Sequence, residues 1–255
     1  MEHTVPSLYQ IKPRENPEKY TVLCQSKGER VRDEYALYAI TQEPAKNALK
    51  HIQLYETQFQ FVPDVEKRFC IYCTGRAGSG KSYFSSQVMK NYQKLFPERE
   101  IYIFSAKSQD EDPCFDGIQA TYIDTLNLDC IPENSKEIGE CLVVFDDCEA
   151  LPVPLRKRVQ QFMDDCLLVG RSRQVSCIII THRALNYGQT FTAINESTHY
   201  VFFPNTNTTQ TRNFLIKKEG YSYAESERIM KLPSRWVMLY KDHPVAMGQQ
   251  DLLIF

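Results

Sequence analysis

Apolar positions along the chain gather into short runs separated by glycine-rich or acidic turns, and their order repeats. Phe69-Cys70-Ile71-Tyr72-Cys73-Thr74 is a continuous apolar stretch with the length of one buried strand. The polar stretch 75–82 follows it, then a helical pattern from about Gly80 to Leu95, closed by Phe96-Pro97. The next apolar run, Ile101-Tyr102-Ile103-Phe104, comes directly after. Strand, helix and second buried strand predict a βαβ unit, and hence a parallel sheet covered on both faces.

The same alternation continues. A short strand at 120–123 and a surface helix near Leu126 are expected in the acidic, turn-rich segment 107–140. Cys141-Leu142-Val143-Val144-Phe145-Asp146-Asp147 reads as a central strand, Pro154 to Val169 as a helix burying Val159, Phe162, Met163, Cys166 and Leu167, and Val175 to Thr181 as another buried strand. Thr198 to Phe203 is a strand stopped by Pro204. A polar loop over 205–209 leads to a helix with Phe214, Leu215 and Ile216, and Tyr223 to Lys231 predicts a second. Trp236 to Tyr240 predicts a late strand, and Leu252 to Phe255 an apolar tail that must be covered within or between subunits.

Before Phe69 the pattern is weaker. Residues 1 to about 19, with Pro6, Pro13 and Pro17, predict an irregular arm; Tyr20–Cys24 and Tyr35–Ile40 predict two strands joined through a turn at Ser26–Glu29; and Ala45 to Tyr55 has weak helical periodicity. The expected organisation is an arm and small α/β element over 1–65 packing on an α/β domain over 66–255 with C-terminal helices and strand.

Composition narrows the class. The 255 residues suit one large α/β domain, and a net charge of -2 excludes a uniformly basic surface while leaving room for local basic patches. Nine cysteines, with no secretory leader, lead to the expectation of a reducing compartment. Cys70 and Cys73 have the spacing of a metal or redox pair, but within a strand residues three apart face opposite sides. Asp110-Glu111-Asp112 reads as a solvated loop, since adjacent carboxylates do not converge on a cation by themselves. No stretch approaches the ~18 apolar residues of a membrane span.

The chemistry centres on Gly75-Arg76-Ala77-Gly78-Ser79-Gly80-Lys81-Ser82, which matches the phosphate-binding G-x-x-x-x-G-K-[ST] pattern. The glycines let backbone N–H groups turn inward around a polyphosphate; Lys81 reaches the β and γ phosphates and the Ser82 hydroxyl takes a place on Mg²⁺. This predicts a P-loop NTPase. At the end of the strand 141–146 stand Asp146, expected to hold Mg²⁺, and Asp147, expected to orient and deprotonate an attacking water. His182 ends a neighbouring strand and would sense the γ phosphate or hold that water; the alternative is a structural histidine. An arginine delivered across a subunit interface would neutralise charge on the transferred phosphoryl group, with Arg171 and Arg173 the first candidates and Arg183 the third. The basic run Arg156-Lys157-Arg158 would face solvent, DNA or a neighbouring subunit.

Taken together, the loop at 75–82, LVVFDD at 142–147, GRSRQVSCIIITHR at 170–183 and HYVFFP at 199–204 resemble the FtsK/HerA superfamily of DNA-pumping ATPases, and most of all the poxvirus A32-like genome-packaging ATPases of double jelly-roll viruses and virophages. The resemblance covers about residues 66–218. It implies a RecA/FtsK-HerA-like fold, ATP and Mg²⁺ as ligands, magnesium on Asp146 and a catalytic role for Asp147, where many members have glutamate. His182 stands where relatives commonly have glutamine, and the family's Gly-Arg before that strand matches Gly170-Arg171, favouring Arg171 as the trans-acting finger. It further implies a homo-oligomeric, hexameric ring that moves double-stranded DNA of any sequence into a preformed capsid, with capsid or vertex proteins as partners. The expected location is the host cytoplasm at viral assembly sites, with association with the virion. Two other functions fit a phosphate loop on a parallel sheet: a nucleotide kinase, which needs an acceptor pocket and usually an arginine-rich lid, and an ATP-gated assembly scaffold without turnover.

Overall fold

The computed structural model describes residues 9–13, 21–27, 35–39, 50–53, 58–61, 63–64, 67–182, 184, 190–206 and 208–255. In chain order the first strands are β1 (Tyr9–Pro13), β2 (Thr21–Lys27), β3 (Tyr35–Ala39), β4 (Lys50–Gln53), β5 (Gln58–Phe61), β6 (Cys70–Thr74), β7 (Glu100–Ser105) and β8 (Thr121–Ile123). After them come β9 (Cys141–Asp146), β10 (Ser176–Thr181), β11 (His199–Phe202), β12 (Val237–Tyr240), β13 (Val245–Met247) and β14 (Asp251–Ile254). The helices are α1 (Lys81–Leu95), α2 (Val153–Leu168), α3 (Phe191–Glu196), α4 (Thr208–Lys217) and α5 (Tyr223–Met230).

Six parallel strands, in the spatial order β8-β7-β9-β10-β6-β11, run inward from the β8 edge of a 10-stranded sheet. The strands β6, β9 and β10 are buried along nearly their whole length, as the apolar runs predict, because helices cover both faces. One face packs on Phe84, Val88, Met89 and Tyr92 of α1. The other packs on Val159, Phe162, Met163, Cys166 and Leu167 of α2, together with residues of α3, α4 and α5. Cys70 and Cys73 fall in the two opposite core clusters, so the strand's alternation keeps their thiols apart. Helix α1 ends where Phe96 N donates to Tyr92 O and Pro97, lacking an N–H, cannot continue the ladder.

Beyond β11 the sheet turns antiparallel through β12, β13 and β14, and the apolar tail is covered within the chain as the buried strand β14. Strand β4 then pairs with β14. This corrects the helical reading of 45–55 at residues 50–53, where the edge of β14 offers the backbone a ladder that overrides a weak local period; 45–49 and 54–55 lie outside the described residues. Within 1–19, expected to be irregular, Tyr9–Pro13 is a strand paired with β3 in a separate 4-stranded sheet, β1-β3-β2-β5; residues 1–8 and 14–19 lie outside the described residues. The predicted pair at 20–24 and 35–40 is present as β2 and β3, while Gly28 and Glu29 of the expected turn lie outside the described residues. The helix expected near Leu126 is replaced by turns. Asp124 Oδ1 accepts from Leu126 N and Asn127 Oδ1 from Asp129 N, local bonds that compete with helix, and only the 3-10 turn Leu128–Cys130 forms.

Candidate active site

Because β10 lies between β6 and β9, three loops leaving the carboxyl ends of neighbouring parallel strands open into one crevice. Gly75 N donates to Thr181 O at 3.3 Å and Asp147 N to Ile180 O at 3.3 Å, so both flanking loops are tied to the end of β10.

The phosphate loop needs its glycines. A Cβ at Gly75 would stand 2.6 Å from Ser79 Oγ and 2.8 Å from Phe203 Cδ2, and Gly80 enters α1 at φ +110°, where L side chains rarely sit. Arg76, Ala77 and Gly78 form the exposed crest of the loop; Ser79 is buried. Lys81 is buried in the first turn of α1, where Nζ donates to Gly75 O at 2.9 Å and Arg76 O at 3.3 Å; burial pulls its pKa down. Ser82 follows, partly buried.

Asp146 and Asp147 are both buried but behave oppositely. Asp146 is pushed up to about 7 by burial first and by the charge of Asp147 second, and neither of its carboxylate oxygens has a hydrogen-bond partner. Asp147 sits at φ 48°, ψ 26°, a left-handed conformation that turns its carboxylate back into the crevice. Burial pushes its pKa up, but the hydrogen bond and charge of Lys107, then the charges of His182 and Lys81, outweigh burial and hold it below the usual carboxylate range.

His182 joins the two loops. Its Nδ1 is 3.3 Å from Lys81 Nζ, and Nε2 is 2.9 Å from Asp147 Oδ1, at ion-pair distance without hydrogen-bond alignment. Since the Lys81 ammonium can only donate, Nδ1 accepts and the ring carries its proton on Nε2, facing Asp147.

The loop 75–82, Asp146, Asp147 and His182 therefore share one crevice. Arg171 and Arg173 do not meet them. Both lie in a 3-10 turn, Gly170–Arg173, at the amino end of β10, which six residues at ~3.3 Å each, about 20 Å, separate from His182. Arg171 is exposed, and Arg173 Nη1 donates to Ser135 Oγ at 2.8 Å. Arg183 lies outside the described residues. In the run 156–158, Arg156 and Arg158 are pinned to the carbonyls of Glu149 and Ile131, and Lys157 is exposed. Asp110 and Glu111 are exposed as expected, but Asp112 is buried, accepting from Cys114 N as the cap of the next 3-10 turn.

Three contributors escape a reading by motif. Lys107, two residues beyond β7, places Nζ 2.9 Å from Asp147 Oδ2 and 3.8 Å from Asp146 Oδ2; burial pulls its pKa down, and the two carboxylates more than reverse this. Glu149 accepts from Thr181 Oγ1 at 2.9 Å and from His182 N at 3.0 Å, clamping the sensor to the turn after the acids. Arg235, in the turn before β12, donates from Nε to Ser79 O at 3.1 Å and so braces the phosphate loop from outside. Position at a strand's carboxyl end was a signal for Lys107; nothing local marks Arg235.

No protein-family model matches the chain. The uncharacterized protein V3 of Sputnik virophage is 27% identical over 212 residues, 81% of this chain and 85% of that protein. The genome packaging NTPase B204 of Sulfolobus turreted icosahedral virus 2, in complex with AMP, is 16% identical, covering 72% of this chain and 97% of that one with a TM-score of 0.49. The cytoplasmic domain of the Thermomonospora curvata type VII secretion ATPase EccC is 12% identical and superposes with a TM-score of 0.52 over 82% of this chain and 29% of that one. The chain has the fold of the P-loop NTPases.

Proposed function

We propose that the chain is an ATP-hydrolysing motor that moves double-stranded viral DNA into a preformed capsid. The observation that carries the reading is the contact chain Lys81–His182–Asp147, which joins a phosphate-loop lysine, a polar strand-end sensor and a carboxylate in one crevice. A kinase needs an acceptor pocket at that point; a hydrolase needs a base for water, and Asp147 supplies one. The motif order resembling the genome-packaging ATPases and the similarity to a virophage protein support the viral setting.

In this reading the loop 75–82 cradles the phosphates of ATP and Lys81 exchanges its carbonyl partners for phosphate oxygens. Asp146 and Ser82 would hold Mg²⁺; two buried carboxylate oxygens without hydrogen-bond partners fit a cation, which when bound neutralises charge on the β and γ phosphates. Asp147 accepts the proton of the attacking water at a carboxylate oxygen, and His182 Nε2–H fixes that carboxylate. Arg171 stands on the exposed turn at the opposite edge, where it serves a neighbour's site in a hexameric ring. Capsid or vertex proteins receive the ring at assembly sites in the host cytoplasm. DNA is gripped through its phosphates and so without regard to sequence. Among the described residues no helix is long and apolar enough to cross a membrane.

The test pairs binding with turnover. Asp147→Asn should bind a fluorescent ATP analogue as the unmodified protein does and lose ATP hydrolysis by at least ~100-fold, the scale of a lost general base, whereas Lys81→Met should lose binding. Hydrolysis retained in Asp147→Asn would overturn the assignment of the base; phosphoryl transfer to a nucleoside monophosphate would overturn the hydrolase.

A further inference from the structure

Lys107 sits where a hydrolytic carboxylate should be open. Its place is fixed by topology: β7 lies beside β9 in register, with Ser105 opposite Asp146, and the turn after β7 is pinned by Lys107 N donating to Ser105 Oγ at 3.0 Å and Thr125 Oγ1 donating to Ser105 O at 2.7 Å. From there the side chain reaches inward. Asp147 Oδ2 accepts from Lys107 Nζ at 2.9 Å, while Oδ1 is shut off from solvent against His182 Nε2. Oδ1 is therefore closed to solvent, and Oδ2, the oxygen left for a water, is held by the ammonium, which lowers its basicity toward that water's proton.

We propose, resting on the ATPase reading, that Lys107 is an electrostatic latch on Asp147, closed in the nucleotide-free protein and opened when a magnesium nucleotide enters the crevice. Two features make the latch releasable. The Lys107 side chain is 41% exposed on a flexible four-carbon stem, so water can take over its hydration when it leaves. Its Nζ is also 3.8 Å from the Asp146 carboxylate, so a cation held there and the ammonium compete for the same negative charge and repel each other. Released, the ammonium swings toward solvent or incoming phosphate oxygens, and Asp147 Oδ2 becomes free for the water. Lys107 is thus a positioning residue, acting through Asp147.

A double-mutant cycle tests this without relying on turnover alone. Thermal midpoints of the unmodified protein, Lys107→Met, Asp147→Asn and the double variant are measured without nucleotide and with Mg²⁺ plus a non-hydrolysable ATP analogue. The latch predicts that without nucleotide the double variant loses clearly less than the sum of the single losses, and that with analogue bound the losses add. It also predicts that Lys107→Met hydrolyses ATP several-fold faster than the unmodified protein in the absence of DNA. Coupling that persists with analogue bound, or a Lys107→Met variant that binds the analogue but loses turnover 100-fold, would overturn the latch and make Lys107 a support of the active carboxylate. Failure of the unmodified protein to bind the analogue would overturn the ATPase reading together with the latch; binding with unchanged coupling would overturn the latch alone.

Discussion

Replacing Glu149 with alanine removes the clamp that holds the sensor. Two hydrogen bonds to its carboxylate disappear, from Thr181 Oγ1 at 2.9 Å and from His182 N at 3.0 Å. Hydrogen bonds to a charged group contribute about 1.5–3 kcal/mol each. The site borders solvent, which partly replaces them, so the low end applies to both and the expected loss is about 3 kcal/mol. For a chain of this size 1 kcal/mol moves the thermal midpoint by roughly 2–4 °C, giving a fall of about 6–12 °C. His182 would also shift relative to Lys81 and Asp147, and a misplacement near 1 Å costs on the order of 100-fold in rate. Scanning calorimetry reads the first effect and phosphate release the second. Glu149→Gln, which keeps one acceptor and can donate to the Thr181 hydroxyl, should lose less than half as much of either. An alanine variant with an unchanged midpoint and unchanged turnover would refute the clamp.

Arg68 donates from both terminal nitrogens to the carbonyls of Cys166 and Leu167 at the end of α2, so Arg68→Ala should cost about 2 kcal/mol and lower the thermal midpoint by several degrees without altering nucleotide affinity. His199 lies between the rings of Phe61 and Tyr240, and burial first, the charge of His243 second, pull its pKa down to about 3. The unfolded chain takes up this proton near pH 6.5 and the folded one only near 3. Stability is therefore full above pH 6.5 and falls as pH drops toward 3, by at most ~1.4 kcal/mol per pH unit, the slope of one proton. Thermal midpoints of the unmodified protein, taken relative to those of His199→Phe, should fall between pH 7 and 5, a comparison in which the opposite contribution of Asp146 cancels. If Arg171 acts across an interface, Arg171→Ala subunits should regain turnover when mixed with Lys81→Met subunits that carry an intact finger; no regain would remove Arg171 from that role.

Features that depend on a short stretch of chain were legible in the sequence. The run 141–147 carries its strand and its chemistry together, the loop 75–82 follows directly on its strand, and parallel strands deliver their carboxyl ends to a common edge whatever their order. The contacts within the site were less so. That Glu149 reaches His182 requires β10 to lie beside β9, and that Lys107 reaches Asp147 requires β7 on its other side; neighbour relations of this kind are set by crossovers, not by local pattern. Arg235 meets Ser79 across 156 positions through an antiparallel strand that a βαβ reading does not place. Residues 50–53 show the same limit in backbone terms, since the edge of β14, not their own periodicity, makes them a strand.

The central claim joins one crevice to movement of DNA, and ATP turnover across size-separated oligomeric fractions, with and without duplex DNA of unrelated sequences, tests it most directly. Turnover concentrated in the assembled fraction, raised by any duplex and weakened with increasing salt, is the predicted result. Turnover confined to monomer and indifferent to DNA would contradict it.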